Sequence, residues 1–339
     1  MRLILEKLKE YLDIPAVTNF SEPFLKYLYK DFSKFSDYEL ILSKNLLVVR
    51  KKENRSNKFF SAHIDRLGLV LSSKGVEHSN FWGKREYNIK IETGLEIFDR
   101  MAIAFNEEHF IPYNEIYDEL RKYTNVKVKY VKTDFVKYFM EFIFYNNNDN
   151  FKGKKNLAFM LENNFFFDGK FIGGQIDNAI SVACLYKLIK DGFDGTVLFT
   201  CREEIGLSWK YIEEYFKEEN LNVKNLIVLD TTPYPSSSDF ENGKIIFRRA
   251  DSNGKFNIAF IDKLKAYAKD QEIPYAIKVP RGKTELGRLV EFTNGNFNGA
   301  TIQIPSTNYH SNKEMTNVKC LKNYYKFIKL ISNKEELFH

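Results

Sequence analysis

Short apolar segments that lead into an acidic residue or a histidine are the most restrictive feature of this sequence. Three of them lead into a polar cluster: Phe59–Ala62 directly before His63, Thr196–Cys201 ending two residues before Glu203, and Leu226–Leu229 directly before Asp230. Short runs rich in β-branched and aromatic residues are typical of strands buried on both faces. Open α/β sheets present their functional groups at the carboxyl ends of such strands. The pattern therefore predicts an α/β protein with a mixed central sheet flanked by helices.

Acidic and imidazole side chains form five clusters in the chain. In order, they are His63-Ile64-Asp65, Asp177-Asn178, Glu203-Glu204, Asp230 and His310. Carboxylates and imidazoles hold divalent ions, one carboxylate can bridge two ions, and a spare glutamate can carry a proton. Together the clusters predict a hydrolytic site with two metal ions. The alternative is that Asp177, which precedes the helical pattern from Ala179, only caps that helix, and that Asp230 only belongs to a turn. That alternative must explain each cluster separately.

The ligand types also indicate the metal and the chemistry. Oxygen-rich ligation with two imidazoles and no thiolate suits Zn²⁺, Co²⁺ or Mn²⁺, and we favour zinc. Two ions about 3.5–4 Å apart can bind one water between them and lower its pKa toward neutrality. The resulting hydroxide would attack an amide carbonyl, while Glu203 would take the proton and pass it to the leaving nitrogen.

Composition excludes several classes of protein. The net charge of +6, from 51 basic and 45 acidic residues, is a mild excess without a basic stripe, so no nucleic-acid partner is expected. No apolar stretch approaches the roughly 20 residues of a membrane-spanning helix. Cys184, Cys201 and Cys320 lie in apolar patterns, which favours buried thiols and a reducing cytoplasm. A nucleophilic role for Cys201 is disfavoured because no histidine lies near it in the sequence.

The pattern of the chain changes between residues 73 and 165. Short aromatic-rich strands dominate there, with one helical segment at Asn114–Tyr123. Elsewhere strands such as Phe59–Leu71 alternate with helices. We therefore predict a catalytic domain of residues 1–72 and 166–339, interrupted by a small β-rich domain of residues 73–165. The inserted domain would serve self-association or substrate gating, or would only pack its own core.

Five segments resemble, in order, the motifs of the tetrahedral-aminopeptidase family, the dinuclear metallo-exopeptidases that include glutamyl and deblocking aminopeptidases. They are Ser61–Val70, Gly173–Asn178, Phe199–Leu207, Val228–Pro233 and Tyr309–Glu314. The resemblance covers both ends of the chain, and the family also carries a β-rich insertion between its first and second motifs. It therefore implies a zinc-exopeptidase-like fold.

The resemblance implies a role for each cluster. One metal would be held by His63 and Asp230, the other by Glu204 and His310, with Asp177 bridging them. Glu203 would be the general base. Asp65 would hold the second imidazole nitrogen of His63, because residues i and i+2 of a strand share a face.

One segment departs from the family pattern. Where typical members have an aspartate, Lys283–Arg288 carries Glu285, with cations beside it. In the family this segment lies near the substrate pocket. Glu285, Arg281 and Arg288 are therefore candidate substrate-binding residues.

The leading functional hypothesis is a metal-dependent aminopeptidase that acts on short peptides. One alternative is an N-acyl amino acid deacylase, in which Arg281, Lys283 and Arg288 would bind a substrate carboxylate. These cations could equally be ordinary surface charges. Another is an inactive binding protein of the same fold, against which the complete set of ligands argues. Assembly into a homo-oligomer is a further expectation, because some members of the family assemble.

Overall fold

The computed structural model describes most of the chain. The described residues are 1–14, 16–19, 21–53, 56–72, 75–78, 87–89, 101–105, 109–111, 125–131, 139–145, 157–161, 163–233, 236–279, 282–310 and 313–339. Between residues 68 and 161 they are the backbones of strands.

Strands occur along the whole chain. In order, they are β1 (Tyr38–Leu42), β2 (Leu46–Lys51), β3 (Phe59–His63), β4 (Gly68–Ser72), β5 (Gly75–His78), β6 (Tyr87–Ile89), β7 (Met101–Phe105), β8 (His109–Ile111), β9 (Asn125–Val131), β10 (Phe139–Tyr145), β11 (Leu157–Leu161), β12 (Phe166–Phe167), β13 (Phe171–Gly174), β14 (Thr196–Thr200), β15 (Leu226–Thr232), β16 (Ile245–Arg248), β17 (Tyr275–Lys278), β18 (Gly299–Pro305) and β19 (Glu314–Asn317).

The α-helices of the described residues are α1 (Arg2–Leu12), α2 (Glu22–Phe32), α3 (Ala179–Lys190), α4 (Ser208–Glu218), α5 (Ser237–Glu241), α6 (Ile258–Asp270), α7 (Glu285–Phe292) and α8 (Val318–Ser332). A 3₁₀ turn, Glu335–Leu337, follows α8. None of these helices is both long enough and apolar enough to cross a membrane.

Eight strands form the main sheet, in the order β1-β2-β14-β3-β15-β18-β16-β17. The four central strands β14, β3, β15 and β18 are parallel, whereas β2 and β16 run antiparallel to the central strands they border. The predicted mixed sheet is therefore confirmed. Its parallel strands bring the residues that follow their carboxyl ends to one edge, which is where such sheets bind ligands.

Helices cover both faces of this sheet. On one face, Phe59 of β3 contacts Phe216 of α4, at 5.4 Å between ring centroids. On the other face, Phe199 of β14 stacks on Phe32 of α2, at 5.1 Å. Since side chains alternate along a strand, Ser61 and His63 point to the same face as Phe59, toward α4 and α7. His63, one of the cluster residues, therefore lies on this face of the sheet.

The chain leaves the main sheet earlier than the sequence indicated. Phe59–Leu71 was predicted as one strand, but β3 ends at His63 and β4 begins at Gly68. The four residues between them turn away, and Arg66 forms a bridge to Val17. Strand β4 then joins the five-stranded sheet β5-β4-β11-β7-β8, and β10-β9-β6 form a separate three-stranded sheet. The predicted helix at Asn114–Tyr123 lies outside the described residues.

Candidate metal centre

The carboxylate of Asp177 lies between two histidines from distant parts of the chain. His63 Nε2 is 3.3 Å from Asp177 Oδ1, and His310 Nε2 is 3.7 Å from Asp177 Oδ2. Both oxygens of Asp177 are buried, and neither accepts a hydrogen bond of adequate geometry in the described part of the chain. A buried carboxylate that accepts no hydrogen bond is costly unless a cation neutralises it. Each oxygen is therefore free to bind a cation on its own side.

Two groups of ligand atoms meet at Asp177. In each group the candidate atoms lie within 4.8 Å of one another, and the groups are His63 with Asp177 and Asp230, and Asp177 with Glu204 and His310. The outer pairs are also close: His63 Nε2 is 3.6 Å from Asp230 Oδ1, and His310 Nε2 is 3.6 Å from Glu204 Oε2. The structure thus brings together the five residues in the two sets that the sequence resemblance implies.

The electrostatics of this cluster favour added positive charge. Burial and repulsion from Asp230 raise the pKa of Glu203 to about 8. Burial and repulsion from Asp177 raise the pKa of Glu204. Burial alone would lower the pKa of His63, but its pairing with Asp177 and Asp230 outweighs burial and holds that pKa well above its usual value. The buried carboxylates of this cluster favour a nearby positive charge, which divalent cations would supply.

His63 is oriented by the backbone of Asp65. Its Nδ1 donates to the main-chain carbonyl of Asp65 at 3.0 Å, whereas the carboxylate of Asp65 is 3.8 Å from the same nitrogen. The spacing of the two residues predicts that both lie on one strand face, but β3 ends at His63, so Asp65 lies beyond the strand. The carbonyl therefore fixes the tautomer and leaves Nε2 directed at the cluster.

The carboxylate of Asp65 instead holds the loop after β14. It accepts hydrogen bonds from the backbone N–H of Glu203 at 3.0 Å and of Glu204 at 3.3 Å, and from the hydroxyl of Thr18 at 3.0 Å. The loop needs such support because Arg202 has a φ of 69°, in the left-handed region that non-glycine residues rarely adopt. Asp65 thus sets the positions from which both glutamate side chains leave the backbone.

Asp230 and α3 are fixed by amide side chains. Gln303 Nε2 donates to Asp230 Oδ2 at 3.1 Å and to the carbonyl of Thr231 at 2.6 Å. Asn178, rather than Asp177, is the N-cap of α3, and its Nδ2 donates to the carbonyl of Leu229 at 2.7 Å. Asp177 therefore does not cap α3, contrary to the alternative interpretation, and its carboxylate is available to bind a cation.

Glu314 is a residue of the site that the sequence argument did not single out. It is fully buried, and its carboxylate accepts hydrogen bonds from the backbone N–H of Asp177 at 2.8 Å and of His310 at 2.6 Å. Its place four residues after His310 was visible in the sequence. Its contact with Asp177, 137 residues away, was not.

The three candidate substrate residues lie in different settings. Glu285 is buried at the start of α7, where Ser61 Oγ and Thr200 Oγ1 each donate to it at 2.5 Å. Arg288 is half-buried beside Gly206, whose positive φ and lack of a Cβ let the guanidinium approach the loop backbone. Arg281 lies outside the described residues. Their roles in substrate binding stay predictions.

Comparisons with known proteins identify the fold and the family. A search of curated proteins by sequence found no match. Solved structures with the same fold are the TET1 peptidase of Pyrococcus horikoshii (18% identity, 97% of this chain and 99% of that one, TM-score 0.68), the TET aminopeptidase of a marine sediment archaeon of the Thaumarchaeota (16%, 99% and 99%, 0.69) and an aminopeptidase of Desulfurococcus kamchatkensis (16%, 99% and 96%, 0.69).

A family model decides the assignment. The model for M42 glutamyl aminopeptidase matches residues 156–327, just over half of the chain. The matched span contains Asp177, Glu203, Glu204, Asp230 and His310, and only His63 and Asp65 of the cluster precede it. The chain therefore belongs to the M42 glutamyl aminopeptidase family and is a metal-dependent aminopeptidase, as the resemblance of its motifs indicated.

Proposed function

We propose that this protein removes the N-terminal residue of short peptides at a site with two divalent ions. One ion would be held by His63, Asp177 and Asp230, and the other by Asp177, Glu204 and His310. The observation that carries the proposal is the position of Asp177, whose two oxygens face the two groups and accept no hydrogen bond from the residues that the structure describes. The donor set of carboxylates and imidazoles suits zinc, and also cobalt or manganese.

Glu203 is the proposed general base. When bound, the ions supply Lewis acidity and make water nucleophilic at neutral pH. Glu203 adjoins the ligand Glu204 but belongs to neither ligand group. Its carboxylate would take a proton from the attacking water and deliver it to the leaving nitrogen. The bond from its N–H to Asp65 holds it beside the ligands, where it is partly buried.

Metal removal and a matched pair of substrates would test the proposal. The chelator-treated protein should lose turnover of a dipeptide with a free amine and regain it on addition of Zn²⁺, Co²⁺ or Mn²⁺. The same dipeptide with an acetylated amine is the control and should be cleaved far more slowly. Preferential release of the acyl group would favour the deacylase, and turnover without metal would refute the metal centre.

Residues 73–165 are proposed to form a separate β-rich domain inserted in the catalytic domain, residues 1–72 and 166–339. Strand β4 enters this part of the chain and β11 leaves it, and the two pair with each other, with Leu71 opposite Leu157. The entry and exit are therefore adjacent, so a short linker in place of the segment should leave the main sheet continuous. A shortened chain that does not fold, while the full chain does, would contradict this division.

Assembly and location are further parts of the proposal. The P. horikoshii TET1 peptidase can assemble into a tetrahedron or a large octahedral shell, and we propose that this chain also forms a homo-oligomer. Sedimentation of the purified protein would test this. Its cysteines Cys184, Cys201 and Cys320 are buried and free, which supports a reducing compartment such as the cytoplasm.

A further inference from the structure

We infer that Glu314 is a positioning residue that selectively supports the ligand group of Asp177, Glu204 and His310. The inference rests on the proposed function, because it concerns the affinity of a metal group. Glu314 contributes no atom to either ligand group. It acts through the backbone of two residues that do.

The geometry ties Glu314 to both residues at once. Glu314 begins β19 and pairs with Gly174 at the end of β13, three residues before Asp177. From there Oε2 accepts the N–H of Asp177, and Oε1 accepts the N–H of His310. One rigid carboxylate therefore sets the distance between two backbone positions that are 133 residues apart in the sequence.

His310 needs this support because of its backbone conformation. Its φ is 61°, in the left-handed region that a residue with a Cβ disfavours. The hydrogen bond of 2.6 Å to Glu314 holds this conformation. The stacked ring of Tyr309, at 3.8 Å between centroids, holds the imidazole itself. Loss of the carboxylate would free the backbone while leaving the ring contact.

The two metal groups have different supports. Glu314 holds two of the three residues in the group of Asp177, Glu204 and His310, but only the shared Asp177 in the other group. Gln303 holds Asp230, which belongs to the other group alone. Removing either support should therefore weaken one group more than the other. A general loss of stability would weaken both alike.

A glutamine is a sharp test of the carboxylate. Glu314→Gln keeps the size of the side chain, but an amide has one acceptor oxygen, and its NH₂ would face an N–H donor. It can serve Asp177 or His310, not both. Gln303→Met is the matched control, because it keeps an unbranched chain of similar length and removes the donor to Asp230.

In the experiment, the metal-free protein is titrated with Co²⁺, and each binding step is measured by calorimetry. His310→Ala and Asp230→Asn assign the two binding steps to the two groups. We expect Glu314→Gln to weaken the step of the His310 group by roughly 10–100-fold, the usual effect of losing an outer hydrogen-bond partner, and the other step by clearly less. Gln303→Met should show the reverse pattern.

The outcomes separate this inference from the proposed function. If the unaltered protein does not bind two ions, the proposed function fails. If it binds two, and Glu314→Gln changes neither step or both equally, the positioning role is overturned. Should Glu314→Gln not fold, Glu314→Asp keeps the charge near the buried cation Arg66 and is too short to reach both N–H groups. The same selective loss is then expected, and its absence overturns the inference.

Discussion

The carboxylate of Asp65 accepts a hydrogen bond of 3.0 Å from the backbone N–H of Glu203. This bond joins the loop after β3 to the loop after β14, two neighbouring parallel strands of the main sheet. It places the proposed base relative to His63, whose imidazole is oriented by the carbonyl of the same Asp65. One residue thus positions a proposed ligand through its backbone and the proposed base through its side chain.

We expect Asp65→Asn to reduce turnover while metal binding is retained. The asparagine has one acceptor oxygen for the donors of Glu203, Glu204 and Thr18, so the loop should lose its fixed position. Loss of such an outer partner usually costs about 10–100-fold in activity. The bond from His63 Nδ1 to the main chain should survive. Turnover and metal content would be measured on the same preparation.

Thr18→Val is the matched control for Asp65→Asn. It removes a single donor to the same carboxylate and leaves the bonds to both glutamate N–H groups, so its effect should be much smaller. An Asp65→Asn protein that unfolds at the same temperature as the unaltered protein but has lost its metal would contradict these separate roles of the Asp65 carbonyl and carboxylate. It would mean that the carboxylate, 3.8 Å from His63 Nδ1, holds the imidazole.

Glu204→Gln should weaken the metal group of His310 and leave the other group occupied. A neutral amide replaces an anionic ligand 3.6 Å from His310 Nε2, whereas His63 and Asp230 are unchanged. After dialysis against a limiting concentration of buffered zinc, elemental analysis should show about half of the metal of the unaltered protein. Retention of the full amount would remove Glu204 from the ligand set.

Acid should destabilise the protein partly through Asp239, which belongs to neither metal group. Although burial opposes it, hydrogen bonds from Lys278 and Ser236 lower the pKa of Asp239 to about 2. Since this pKa is below the unfolded value of about 3.9, the stabilisation is complete above pH 4 and is lost as the pH falls toward 2. It amounts to at most about 2.6 kcal/mol. Urea unfolding of Asp239→Asn and the unaltered protein between pH 3 and pH 6 measures it.

Asp262→Asn is the control for the acid effect. Asp262 pairs with Lys265 at 2.7 Å, but its side chain is about half exposed, and exposed pairs contribute little. The difference in unfolding free energy between Asp239→Asn and the unaltered protein should shrink as the pH falls, and that of Asp262→Asn should stay small throughout. A difference for Asp239→Asn that does not depend on pH would rule out its titration as the cause.

The fold and the meeting of the five clusters could be predicted because both are encoded locally. Apolar runs such as Leu226–Leu229 identify the parallel strands, and parallel strands end at one edge. Features set by contacts between distant segments could not be predicted from the sequence. After β3 ends at His63, Arg66 forms a bridge to Val17, and no periodicity in Phe59–Leu71 marks this change of partner.

The supports of the site show the same limit. Asp65 was recognised by its spacing from His63, but its carboxylate bonds to a loop 138 residues away. Glu314 stands in a recognised motif, but its carboxylate accepts a hydrogen bond from the N–H of Asp177, 137 residues away. Residue types therefore indicated which side chains meet, while the hydrogen bonds that hold their backbones required the structure.

Glu203→Gln separates catalysis from metal binding. The change keeps the size of the side chain and its backbone bond to Asp65, and removes the charge that would accept a proton. Because Glu203 belongs to neither ligand group, the metal content should stay at the level of the unaltered protein. Turnover should fall by roughly 10²–10⁴-fold, the usual contribution of a positioned acid–base group. Substrate affinity should be retained, since the group acts mainly in the transition state. Single-turnover kinetics would measure turnover and substrate affinity, and elemental analysis would measure the metal content. Near-normal turnover would refute the proposed base, and a loss of metal would instead mean that Glu203 is a ligand and that the roles of the two glutamates are reversed.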